Sequence, residues 1–226
     1  MYSSHSSVSR KKMVIISGYV DGESYGLLGP QMAATIIEEN TQYDCIVIAV
    51  TREDDKSVLK GAINEFLSND DCLVGFSCLN GREDLFSFAK ELTEEGWFTI
   101  LAGPQANVDY IGEANHFKYE HRFKGLSSHF SIALHGPAEQ AVSLLNNMNT
   151  NQMYETPGLI YRDKNGKIIQ NPKKSWDEKF LSTVRWDNIY RLHEQSLMSM
   201  EITTGQILQQ IGCPYASYDQ EVEIDY

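Results

Sequence analysis

Short apolar runs alternate with amphipathic stretches along the first two-thirds of this chain. Met13-Val-Ile-Ile-Ser-Gly-Tyr19 is a continuous apolar run that closes on glycine, which suits a strand buried on both faces rather than an alternating edge strand. From about Gly29 to Asn40, Met32, Ala33, Ile36 and Ile37 recur at helical spacing, and Pro30 stands near the start, where its missing N–H costs nothing. The alternation then repeats: Cys45 to Val50 as strand, Ser57 to Leu67 as helix, Cys72 to Ser77 as strand, Glu83 to Glu95 as helix, and Trp97 to Ala102 as strand. A loosely patterned stretch with Val108 to Ala114 follows, then a fifth strand over Phe130 to Leu134 and an amphipathic helix over Glu139 to Met148. Five strands alternating with helices predict an α/β fold, a flavodoxin-like (Rossmann-like) doubly wound parallel five-stranded sheet covered on both faces.

After about Asn149 the pattern changes. Gly158 to Arg162, the turn Asp163-Lys-Asn-Gly166 and Lys167 to Gln170 predict a β-hairpin. Trp176, Leu181, Trp186 and Tyr190 are then spaced irregularly among polar residues, as in a strap that wraps over another surface. Residues 13–149 are therefore read as the α/β domain and 150–226 as an appended hairpin and linker. Residues 1–12, rich in serine and ending Arg10-Lys11-Lys12, are read as a disordered leader, because the apolar stretch of a secretory signal does not follow them.

At 226 residues, with 42% hydrophobic and 22% charged positions, the chain has the composition of an ordinary globular domain. The apolar runs are strand-sized, far below the roughly 18 to 20 residues that span a bilayer. A formal charge of −12 without a dense Lys/Arg cluster argues against binding to phosphate backbones or anionic lipid. The cysteines, Cys45, Cys72, Cys78 and Cys213, lie far apart, three of them in apolar runs. That usage fits a reducing, cytoplasmic setting. The expected partner is a small molecule or a protein.

In an open parallel sheet the ligand crevice lies beyond the carboxyl ends of the strands. The loop after the first strand, Gly18-Tyr-Val-Asp-Gly-Glu-Ser-Tyr-Gly26, is long and glycine-rich, either a loose connection or a cradle whose backbone approaches a ligand closely. It lacks the Lys and Ser/Thr of a Walker motif. Strand three ends Ser77-Cys-Leu-Asn80, strand four ends Ala102-Gly-Pro-Gln-Ala-Asn107, and strand five ends His135-Gly-Pro-Ala-Glu139. Three small, kinked, lightly polar loops thus meet at one sheet edge.

The order of these motifs, with the Gly158-Leu-Ile-Tyr-Arg162 hairpin after them, resembles the amino-terminal cobalamin-binding domain of radical S-adenosylmethionine enzymes. In that family the corresponding loops usually read Gly-Gly-Pro-His and Gly-Glu-Gly-Glu. The similarity runs over roughly residues 13 to 215. It implies that Ser77 and Cys78 approach the corrin ring, that Gly103, Pro104 and Gln105 flank the nucleotide tail, and that His135, Gly136, Pro137 and Glu139 close the other side. Gly18, Tyr19, Tyr25 and Leu79 are the accompanying backbone and apolar contacts, since cobalamin is held mainly by such contacts.

The chain departs from related patterns in two places. The Asp-x-His-x-x-Gly motif that gives cobalt a histidine in mutases and methionine synthase is absent, so no metal ligand is assigned; His135 is read as hydrogen-bonded structure. Glu201-Ile-Thr-Thr204 and Gly212-Cys-Pro-Tyr215 resemble the approach to a Cys-x-x-x-Cys-x-x-Cys cluster motif, but Ser217 and Gln220 occupy the later cysteine positions. A 4Fe–4S cluster, S-adenosylmethionine and the catalytic barrel are therefore expected only in a carboxyl-terminal part beyond Tyr226, with that radical S-adenosylmethionine domain as partner and a methyltransferase among the implied activities. No catalytic residue is assigned here.

Two other readings compete. A cofactor-free module would interact with proteins or cover the barrel, its crevice filled by bulky side chains such as Phe76, Tyr25 or Gln105. A stand-alone flavin or nucleotide enzyme would bind phosphate at the first loop, where Asp21 and Glu23 would repel an anion.

Overall fold

The computed structural model describes residues 10–68, 72–78, 81–107, 128–175, 177–180 and 183–205. Leu79, the 108–114 stretch, Trp176, Leu181, Cys213 and the segment 222–226 lie outside them, as does the side chain of Gln105.

The alternating elements are β1 (Lys11–Gly18), α1 (Leu28–Asn40), β2 (Tyr43–Val50), α2 (Lys56–Leu67), β3 (Leu73–Ser77), α3 (Glu83–Glu94), β4 (Phe98–Ala102), the single turn α4 (Pro104–Asn107), β5 (Ile132–Leu134) and α5 (Gln140–Asn147). Helix α2 starts where Asp55 accepts hydrogen bonds from the N–H groups of Ser57 and Val58 at 2.8 and 3.1 Å, an N-cap that satisfies two orphan donors. Two hairpins complete the sheet: β6 (Leu159–Arg162) with β7 (Ile168–Gln170), and β8 (Ile189–His193) with β9 (Ser196–Ser199).

Among the described residues one sheet of nine strands runs in the order β7-β6-β5-β4-β3-β1-β2-β8-β9. Its centre, 5-4-3-1-2, is parallel throughout and has the flavodoxin-like order. The expected five parallel strands become six, because Val47 to Ala49 of β2 pair in parallel with Ile189 to Arg191 of β8. Part of the segment read as a strap is thus sheet. Its turn hides the signal: Glu194 takes φ 53° where a tight hairpin ordinarily shows Gly or Asn.

Helices cover both faces. Leu59, Ile63 and Leu67 of α2 and Leu85, Phe88 and Leu92 of α3 pack on Val14, Ile16, Ile48, Val74 and Phe76. On the opposite face Ala34 and Ile37 of α1 and Leu144 and Leu145 of α5 pack over Met13, Ile15, Val47 and Ile100. Each fully buried aliphatic or phenyl side chain contributes about 1.5–3 kcal/mol. Successive β1 side chains serve opposite layers, the period-two rule of a strand buried on both sides.

The described residues of the connection from β7 to β8 bond to the start of α5 and to the middle of α1. Gln140 Oε1 accepts from the Lys174 N–H at 2.9 Å and Glu139 Oε1 from the Asp177 N–H at 2.8 Å. Further on, Thr35 Oγ1 accepts from the Arg185 N–H at 3.0 Å. That path carries the chain past the carboxyl edge of the sheet.

Candidate functional site

Strand β1 leads to α1 on one face and its neighbour β3 leads to α3 on the other, so the chain diverges between them. That is where a doubly wound sheet opens a crevice.

Small side chains deepen it. Ser17, Gly75, Ser77, Ala102 and Gly103 floor the carboxyl ends of β1, β3 and β4, while Ala33 of α1 and Ala141 of α5 face them. Neither helix fills the gap, and a cavity of about 630 Å³ remains between the sheet and the α1/α5 layer. Its depth is aliphatic, with Met13, Ile15, Ile100, Leu134, Leu144 and Leu145. Gly103 and Gly136 turn at its mouth with φ of 74° and 110°; a Cβ on Gly103 would stand 2.7 Å from Ser77 Oγ. These two loops need glycine both for conformation and for closeness.

A second cavity of about 520 Å³ lies over the strand ends and shares Ser17, Gly18, Tyr25 and Ser77 with the first. Arg82 forms part of its wall. Its guanidinium donates to both oxygens of Asp84 at 2.8 Å, to the Val50 carbonyl at 3.0 Å and to the Thr51 carbonyl at 3.3 Å. A Cβ on Gly18 would meet Arg82 Nη1 at 2.5 Å, so the glycine admits the arginine. The bidentate Arg82 contact, with Lys56 at 3.3 Å, holds the Asp84 carboxyl at a pKa of about 2. Because the folded value lies below the ordinary one, this pairing stabilises the fold fully above about pH 4 and less as pH falls toward 2. Asp84→Asn is expected to flatten that part of the acid limb when urea stability is followed between pH 5 and 2; a wild-type-like slope would show the pairing adds nothing.

The glycine-rich loop after β1 is held at several points. The Tyr19 hydroxyl donates to the Tyr25 carbonyl at 2.6 Å, and the two rings stack with centroids 4.5 Å apart. Burial raises the Tyr19 hydroxyl to a pKa of about 12. The Trp186 indole lies against Gly26, where a Cβ would come within 2.3 Å of the ring. The Gly26 N–H donates to the Thr204 carbonyl at 3.0 Å and the Thr203 N–H to the Ser24 carbonyl at 2.9 Å. Gln31, fully buried, accepts from the Leu27 N–H at 2.7 Å and donates to Asn188 Oδ1 at 3.2 Å. The loop is tied at Tyr19 and again from Ser24 to Gly26.

Gly18, Tyr25, Ser77, Gly103, Pro104, Gly136 and Pro137 come together on the apolar cavity, and Tyr19 joins the crevice above it. Cys78 is placed elsewhere: it is buried in the α2/α3 layer, where desolvation lifts its thiol to about 12. His135 turns into the seam with the hairpin, its Nε2 2.9 Å from Gln170 Nε2. Glu139, buried, receives the strap through one oxygen, while Oε2 has no hydrogen-bond partner among the described residues. Arg82 and the small floor residues Ser17 and Gly75 were not singled out by sequence. A signal for the floor exists in β3, where Gly75 and Ser77 sit at alternate positions.

With the geometry in place, comparison with solved structures is informative about fold. The sheet and its helices align with a cobalamin-dependent S-adenosylmethionine radical enzyme, OxsB. In its structure with aqua-cobalamin bound, the TM-score is 0.50 at 13% identity, covering 75% of this chain and 23% of that one. A structure of the same enzyme with aqua-cobalamin and S-adenosylmethionine bound gives 0.49 at 12% identity, over 74% and 23%. The matched part covers less than a quarter of that enzyme's length. No family model and no curated protein matches.

Proposed function

We propose that this chain is a cobalamin-binding module, with the nucleotide tail in the apolar cavity and the corrin ring across the crevice above Gly18, Ser77 and Gly103. The observation that carries the reading is the pair of connected cavities at the point where the chain diverges between β1 and β3. Ligand pockets commonly measure about 300–1,000 Å³ and are mostly apolar. The inner cavity, about 630 Å³, accepts a part of so large a cofactor, and the crevice lies where the remainder would spread. The residues fit the group: glycine loops bring backbone close, the Tyr19–Tyr25 pair offers an aromatic wall, and Gly103, Pro104, Gly136 and Pro137 line the passage between helix and sheet.

When bound, such a cofactor supplies cobalt-centred methyl transfer. The iron–sulfur cluster, S-adenosylmethionine and a methyltransferase activity are proposed for a companion radical domain, not for these residues.

A crevice filled by its own side chains would favour a cofactor-free module. Phe76 instead packs edge-on against Phe88 and Phe130 in the other layer, with centroids at 6.4 and 5.2 Å, while Tyr25 edges both cavities without closing them. Asp21 and Glu23 edge the outer crevice or its neighbour and disfavour a flavin or nucleotide phosphate there.

Filling the cavity tests the reading. Ala141→Phe puts a ring where the tail would lie and is expected to weaken hydroxocobalamin binding roughly tenfold or more while leaving thermal unfolding near wild type. Unchanged affinity in a folded variant would contradict the assignment of that cavity.

A further inference from the structure

We infer that the inner cavity selects among cobamides by the polarity of the nucleotide base, admitting a benzimidazole and rejecting a purine. The inference rests on the proposed cobalamin reading and goes beyond it, because it names which corrinoids the module should retain.

The hydrogen-bonding groups of the cavity set this preference. Deep in the cavity the side chains are Met13, Ile15, Ile100, Leu134, Leu144 and Leu145, none of them a donor and only the Met13 thioether a weak acceptor. The strand backbone behind them is engaged in the parallel ladders β1–β3 and β3–β4. Two long polar side chains stand at the helix starts on either side, and both are already used. Gln31 spends its amide on Leu27, Arg185 and Asn188, and Gln140 bonds the His135 and Pro137 carbonyls and the Lys174 N–H. Among the described residues the polar side chains left on the lining are Ser17, Ser77 and Tyr25, all at the mouth, and Ser17 already donates to the Ser77 carbonyl at 3.1 Å.

Dimethylbenzimidazole suits such a place: two methyl groups and a fused ring would enter the aliphatic depth, leaving a single ring nitrogen in need of a partner. Adenine brings several ring acceptors and an amino group, and its polar edge would be buried against Leu134, Leu144 and Leu145. Burying polar groups without partners is costly. A site lacking the matching groups discriminates on the order of tenfold to a hundredfold.

The experiment is a visible-absorbance titration of the 226-residue chain with three hydroxo-corrinoids: cobalamin, its adenine-tailed analogue, and cobinamide, which has no nucleotide. Cobalamin is expected to bind about tenfold to a hundredfold more tightly than the adenine analogue, whose affinity should fall toward that of cobinamide. Ala141→Phe should bring cobalamin down to the cobinamide level, with its melting curve as the control for folding. Equal affinity for the two tailed corrinoids, or a preference for adenine, overturns the selection while leaving the cobalamin reading intact. Cobinamide binding as tightly as cobalamin overturns the seating of any tail in this cavity. Retention of none of the three defeats the underlying reading itself, an outcome distinct from loss of selectivity.

Discussion

Gly158→Ala is expected to destabilise the protein by about 3 kcal/mol or more, measured by urea unfolding. Gly158 adopts φ +71° immediately before β6, and a Cβ there would lie 2.1 Å from the His135 carbonyl oxygen. The left-handed conformation alone costs a non-glycine residue about 1–2 kcal/mol. The clash cannot relax easily, because the His135 N–H donates to the Gly158 carbonyl at 2.9 Å and the Gly158 N–H to the Pro172 carbonyl at 3.0 Å. Moving either strand end breaks the β5–β6 seam, and with it the placement of Gly136 and Pro137 at the cavity mouth. Cobalamin affinity is therefore expected to fall together with stability. A loss below about 1 kcal/mol would mean that the hairpin docks far less rigidly than the hydrogen bonds indicate.

Phe76→Ala is expected to cost a comparable amount, about 3–5 kcal/mol, with a different functional signature. Phe76 is fully buried and meets Phe88 and Phe130 edge-on, and Phe130 in turn meets Phe86 at 5.7 Å. Removing the ring leaves a void among aromatic rings that the α2/α3 layer cannot readily close. Its ring belongs to the layer opposite α1 and α5, so the folded fraction should bind hydroxocobalamin as wild type does. Equal stability loss with greatly weakened binding would show that the two layers are coupled through β3.

The parallel core was legible because each strand is a compact apolar run and each helix a recurrent stripe. Strand β1 begins at Lys11, two residues before the apolar run, because Lys11 and Lys12 extend the ladder to Tyr43 and Asp44 at the outer end of the sheet. Strands β8 and β9 were hidden for another reason. Only Ile189 is fully buried in β8, and the Glu194 turn carries no glycine.

At the site, the glycines and prolines of the strand-end loops could be read as turns, and their convergence followed from topology. The cavity itself could not. It arises from small residues on three strands that become neighbours only through the 4-3-1 order, facing alanines on two helices far apart in sequence. Arg82 was missed because Val50 and Thr51, which accept from it, reach it only through the fold; of its partners Asp84 alone is a neighbour in sequence. Cys78, read as a contact by its position after Ser77, falls on the buried side by the alternation of side chains across a strand end.

Binding is measured by incubating the purified chain with hydroxocobalamin under reducing and non-reducing conditions, removing free ligand by gel filtration, and recording the visible spectrum. The cobalamin-binding account predicts corrin absorbance retained at about one equivalent per chain, as one site per cavity pair requires. A colourless protein under both conditions would contradict it.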